Sequence, residues 1–193
     1  IKLPSAGGIY ESDGSTAILT ESGGTVTLDN VALGSSVSGG FLYTSSAIIC
    51  DKKAYNANGG TFTQDAWQQR ELNTEINDAD SIVLISSNRF TLGAGTYTIE
   101  WSAPAYKCNT HQSRLLNYSD TAVVEYGTPE HDAAGNATTN KSFGKAVTTI
   151  GGDKIFEIQH YCDTTKADTG FGRPSSFTGS SSIYTLVHIL KHG

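Results

Sequence analysis

Residues 41–193 break into about ten β-prone runs of four to ten residues, and no long helical period interrupts them. The runs are FLYTSSAIIC, FTQDAWQQRELN, DSIVLIS, RFTL, GTYTIEWSA, HQSRLLNYS, TAVVEYG, KSFGKAVTTI, KIFEIQHYC and SIYTLVHILK. Gly, Asn, Asp and Pro divide them, and short strands at this spacing fold as a sandwich or jelly roll. Composition agrees: charged residues are 17%, Ser and Thr together approach a quarter of the chain, and there are 21 Gly. That balance starves helices and suits strands joined by polar turns. With 193 residues the chain is long enough for one full-sized core with an appendage.

Several runs alternate cleanly. Tyr97, Ile99 and Trp101 fall on one face, with Thr96, Thr98 and Glu100 on the other. Phe156, Ile158 and His160 likewise oppose Ile155, Glu157 and Gln159. The last run is different. Ile183, Leu186, Val187, Ile189 and Leu190 leave Thr185 and His188 as the few polar positions, so this strand is expected to be covered on both sides. A sandwich covers one side, and a symmetric neighbour is the economical cover for the other.

Residues 1–40 alternate short β-prone runs (IYES, TAILTE, TVTLD) with GG, DG and GS turns, and Tyr10 is their one aromatic residue. Such strands bury no core of their own, so this segment is expected to be an arm that intertwines an oligomer or attaches it, and 41–193 the folded domain. The segment IKLPSAGGIYESDG lacks the apolar stretch of a secretion signal, and with no Met in the chain, Ile1 is read as not the gene's first residue.

A net charge of −6 leaves no basic stripe for phosphates, which argues against nucleic acid or an anionic membrane as partner. No run of about eighteen apolar residues spans a bilayer. The three cysteines, Cys50, Cys108 and Cys162, lie more than fifty residues apart and fit neither a CxxC metal pair nor a dense disulfide framework. Buried reduced thiols, a Cys108 to Cys162 bridge and a catalytic thiol all stay open.

The segment WSAPAYKCNTHQSRLLNYSD (101–120) gathers the most chemistry. On a strand, Thr110, Gln112, Arg114, Leu116 and Tyr118 share one side, and His111, Ser113, Leu115 and Asn117 the other. Extending the strand puts Cys108 on the Arg114 side, away from His111. His111 and Ser113 are then neighbours about 6 to 7 Å apart, too far for a nucleophile and base with Asp120. No GxSxG elbow is present, and no enzyme activity is expected. Gln112 and Arg114 suit intersubunit or interlayer hydrogen bonds. Arg70 invites the same reading, with Glu100, Glu125 or Glu157 as its carboxylate partner. His160, Tyr184, Leu186 and His188 complete the candidate trimer-interface or buried polar positions.

No cofactor is implied. His111, His131, His160, His188 and His192 show no ligand spacing for a transition metal. NDAD (77–80) and EHDAAGN (130–136) lack the order of a Ca²⁺ loop and read as solvated turns. Trp67, Tyr55, Tyr106, Tyr126 and Tyr161 offer rings of the kind that stack on sugars. The loops at 127–140 and 163–182 are expected at an exposed end, with Tyr126, His131, Asn136, Phe171 and Arg173 as candidate ligand contacts. The sequons at Asn117, Asn136 and Asn140 carry no information in so Ser/Thr-rich a chain.

The segments 54–73, 85–120, 156–172 and 183–191 resemble small virion-associated proteins of tailed bacteriophages, including cyanophages and marine phages, that carry a domain similar to the trimeric C1q/TNF-like jelly roll. The block FTLGAGTY…W…AP carries the likeness to the C1q pattern. The resemblance implies a homotrimer of ten-strand antiparallel sandwiches at the virion surface. It would serve as capsid decoration (cement) or as a tail-fibre knob contacting a host glycan, with the N-terminal arm on capsid or tail proteins.

Overall fold

The computed structural model describes residues 9–10, 17–22, 25–27, 42–132 and 137–193. The chain divides into two units, 1–41 and 42–193. In the first, β1 (Ile9–Tyr10), β2 (Ala17–Ser22) and β3 (Thr25–Thr27) form an antiparallel sheet in the order β1-β2-β3.

The second unit contains eleven strands among its described residues, and no helix. They are β4 (Tyr43–Lys53), β5 (Gln68–Gln69), β6 (Thr74–Asn77), β7 (Val83–Ser86), β8 (Arg89–Leu92), β9 (Gly95–Tyr106), β10 (Asn109–Asn117), β11 (Ala122–Asp132), β12 (Thr139–Ile150), β13 (Lys154–Cys162) and β14 (Ser182–His192). One sheet runs β12-β9-β14-β4-β6 and the other β11-β10-β13-β8-β7, with β5 beside β13. Every pairing is antiparallel.

The expected alternation places the core. Ile49, Tyr97, Ile99, Trp101, Val187 and Ile189 from the first sheet pack against Phe90, Leu92, Leu115, Phe156 and Ile158 from the second. Each fully buried side chain of this size contributes about 1.5–3 kcal/mol, so the layer between the sheets dominates stability. Ser87 and Asn88, left-handed at φ 53° and 62°, form the two-residue hairpin that joins β7 to β8. At the edge where β11 meets β12, side chains bind the layers. Trp101 Nε1 donates to Ser113 Oγ at 2.8 Å, Ser113 N–H to Ser142 Oγ at 2.9 Å, and Ser142 Oγ to the Thr128 carbonyl at 2.7 Å.

Two expectations change. FTQDAWQQRELN forms only the two-residue β5 and an isolated bridge at Phe62, with Phe62, Arg70 and Leu72 buried and residues 63–66 exposed. The polar stretch Thr74–Asn77 is instead a strand, paired to the edge of β4.

Candidate functional site

Three places in the sandwich concentrate chemistry, and the first is an interior cluster at one end. Arg70 is 1% exposed. Its Nε donates to Thr185 Oγ1 at 2.7 Å, Nη1 to the Pro104 carbonyl at 3.2 Å and Nη2 to the Phe171 carbonyl at 2.9 Å. The guanidinium also lies 4.1 Å from the centre of the Phe171 ring. The expected carboxylate partner is corrected here. Glu157 pairs with Arg89 and Glu100 with Lys145, while Glu125 accepts from the Tyr126 amide. Burial pushes Arg70 down to about 9, against the attraction of Asp51 and Glu71, so it remains a cation held by neutral oxygens.

Beside it, His111 Nδ1 lies 3.0 Å from His160 Nε2. The second ring nitrogen of each is buried without a partner. Burial, then the Arg70 charge, lowers His111 to about 4 and His160 well below the usual histidine value. Phe62, Ala105, Cys108 and Cys162 form the adjoining apolar pocket. Cys108 is therefore not on the Arg114 side, as strand parity predicts. Lys107 and Asn109 are left-handed at φ 57° and 59°, and the turn between them breaks the parity and rolls Cys108 inward.

His111, Ser113 and Asp120 do not come together as a triad. His111 is committed to His160, Ser113 to Trp101 and Ser142, and Asp120 to Asn117 and Lys154. Among the described residues no three His, Cys, Asp or Glu side chains come together as a metal site. Both carboxylate oxygens of Asp78 accept backbone N–H groups, from Ile82 and Val83, so that acidic turn is internally capped.

The second place is the outward face of the β12-β9-β14-β4 sheet. β14 is central, between β4 and β9. Val187 and Ile189 point into the core at 0% exposure, while Leu186 is 37% and Ile183 48% exposed on the opposite side. Phe143 and Val147 of β12 are 55% and 62% exposed. Phe143 and Leu186 border an open groove of about 690 Å³ with Trp101, Tyr126 and His188, and Lys145 and Glu100 line it too, paired at 2.7 Å. Leu186 and His188 thus sit on this face. Tyr184 does not: a register shift between Ile183 and Leu186 turns it inward at 3% exposure, its hydroxyl donating to the Ala57 carbonyl at 2.7 Å.

The third place is the outward face of the other sheet. Arg114 Nε and Nη2 both donate to Gln159 Oε1, at 2.8 and 2.6 Å, and its guanidinium stacks 4.0 Å from the Trp67 ring. Tyr161 and Tyr126 flank Trp67 at 5.6 and 6.0 Å between ring centres. Glu157 links this group to Arg89, which stacks on Tyr118 at 3.6 Å. Gln112 Nε2 donates to the Gly127 carbonyl at 2.8 Å. Within one chain, then, Gln112 and Arg114 bond along their own sheet.

The candidate ligand contacts do not converge. Tyr126 and His131 are exposed on β11, and Arg173 is exposed with its guanidinium 5.9 Å from the buried Tyr106 ring. Phe171 packs inward on Phe62 and Arg70. Asn136 lies outside the described residues. Of the rings suited to sugars, Trp67, Tyr126 and Tyr161 gather and Tyr55 stands apart, its hydroxyl donating to the Ser176 carbonyl. The sequence holds no signal for the His111–His160 pair, which depends on the register that sets Ser113 opposite His160.

No family model matches the chain, and no curated protein matches it either. Solved structures do. Eiger TNF from S. frugiperda superposes with a TM-score of 0.51 at 9% identity, covering 77% of this chain and 92% of that one. The globular domain of zebrafish complement 1qA gives 0.48 at 16% identity, covering 75% and 94%. Murine APRIL at pH 8.0 gives 0.47 at 8% identity, covering 76% and 98%. The chain has an all-β antiparallel sandwich of the C1q/TNF-like jelly-roll type.

Proposed function

We propose that this chain is a non-enzymatic structural protein that assembles as a homotrimer at the surface of a phage particle and decorates its capsid shell. Residues 1–40 would fix it to capsid or tail proteins. The supporting observation is the outward face of β12, β9, β14 and β4, where Phe143, Val147, Ile183 and Leu186 stand exposed on one side of a sheet whose other side is core. Apolar patches rimmed by polar residues mark interaction surfaces, and copies related by rotation cover them without leaving an open end. At about 25 cal/mol per Å² of apolar area, several hundred Å² per subunit supplies many kcal/mol to set against association costs.

The particle assignment is supported by the resemblance of segments 54–73, 85–120, 156–172 and 183–191 to phage virion proteins. A tail-fibre knob that binds a host surface glycan is the alternative. Favouring it is the Trp67, Tyr126, Tyr161 and Arg114 group on the other sheet, since aromatic rings beside planar polar groups suit sugar stacking. Antibody labelling of purified virions tests both. Label over the head is the decoration outcome, label confined to the tail is the adhesin outcome, and particles without label contradict both.

A further inference from the structure

Two of the three thiols meet in the interior. Cys108 and Cys162 are both fully buried in one apolar cluster with Phe62 and Ala105, the Cys108 thiol donating to the Tyr106 carbonyl at 3.1 Å and the Cys162 thiol to the Thr164 carbonyl at 3.4 Å. The backbone beneath them is zipped. The Asp163 amide donates to the Thr110 carbonyl at 3.0 Å and the Thr164 amide to the Cys108 carbonyl at 3.1 Å. The left-handed turn at Lys107 and Asn109 brings Cys108 into the same buried cluster as Cys162. Cys50 is buried on β4, in the other sheet from β13, and is no part of this pocket.

We propose that Cys108 and Cys162 are a disulfide-forming pair, a covalent latch between the β9–β10 turn and the end of β13, and that Cys50 stays a free thiol. The oxidant is a low-molecular-weight disulfide such as glutathione disulfide. One cysteine thiolate attacks it and releases one glutathione thiol. The second cysteine attacks the mixed disulfide and releases the other. Two S–H bonds are lost and one S–S bond forms, while two electrons and two protons leave on the two glutathione thiols.

The pair is silent in the closed fold, for two reasons. Neither sulfur is exposed to an oxidant, and the Cys108 thiol together with burial pushes the Cys162 thiol far up, so thiolate is scarce. The bond therefore forms while the chain folds or opens, and the latch records the redox state at that moment. Once made, it closes the loop that carries β10, β11, β12 and β13, which restricts the unfolded chain. The latch does not depend on the trimer or on the particle assignment.

The test is refolding of the full chain from denaturant in a glutathione redox buffer, with a parallel sample in excess thiol. Both are alkylated in denaturant and weighed intact. The oxidised sample is expected to take up one alkyl group, and its peptide map to join residues 108 and 162. Cys50→Ser should take up none and keep the bridge. The bridged chain should melt about 5–15 °C above the reduced one, and Cys108→Ser should lose that difference. Three alkylated thiols in a chain that has refolded under oxidising conditions would overturn the assignment. So would a bridge through Cys50 or between two chains, or a bridged form melting no higher than the reduced one.

Discussion

His111 and His160 share one hydrogen bond of 3.0 Å inside the sandwich, and each leaves its other ring nitrogen without a partner. Both rings are held neutral by burial and by Arg70. The unfolded chain therefore takes up protons at a higher pH than the folded one does. Stability is fully present above about pH 6.5 and falls as the pH drops below it. For His111 the loss accumulates down to about pH 4 and amounts to about 3 kcal/mol. His160, also held well below the usual histidine value by burial and the Arg70 charge, adds to the decline as the pH falls from about 6.5. Urea unfolding from pH 8 to pH 4 measures it, and the double variant His111→Leu/His160→Leu should flatten the acid limb. A wild-type midpoint independent of pH over that range contradicts the pair.

Arg70 is expected to be costly to remove. Arg70→Met leaves Thr185 Oγ1 and the carbonyls of Pro104 and Phe171 without their donor, a loss of about 3–5 kcal/mol. Arg70→Lys should recover only part of it, because an ammonium does not reproduce three planar donors and a stacked face. Chemical denaturation of the three proteins gives the order wild type, Lys, Met.

Gly144 packs directly on Trp101. A Cβ there would fall 2.0 Å from Trp101 Cζ2, so Gly144→Ala must displace the indole and its hydrogen bond to Ser113. A destabilisation of about 2–4 kcal/mol is expected, with a shift in tryptophan emission. The exposed neighbour Val147→Ala is expected to change monomer stability by less than about 0.5 kcal/mol.

The strands facing the core were legible because their alternation is strict: Tyr97, Ile99 and Trp101 are inward and at most 3% exposed, as their spacing requires. Thr74–Asn77 gave no such signal, since β6 lies on the sheet edge and its burial pattern is mostly exposed. Strand parity misplaced Cys108 because two left-handed residues flank it; Asn109 is of a type that favours that conformation, but nothing in Lys107 announces it. Arg70 was recognisable as a buried cation, but its partners were not. Carbonyls of Pro104 and Phe171 reach it only through tertiary folding, and composition favours a carboxylate.

Leu186→Glu places a charge at the centre of the outward apolar face without entering the core, since Leu186 is 37% exposed. The single chain should keep its melting behaviour at high dilution, within about 0.5 kcal/mol. Self-association should weaken at least tenfold, because a charge is buried against apolar neighbours. Analytical ultracentrifugation over a concentration series separates the two effects.

Sedimentation equilibrium of the wild-type chain at micromolar concentration tests the shared sheet face most directly. A mass of about 61 kDa, three times the 20.4 kDa chain, is the expected result. A single species of 20.4 kDa that persists as the concentration rises would contradict it.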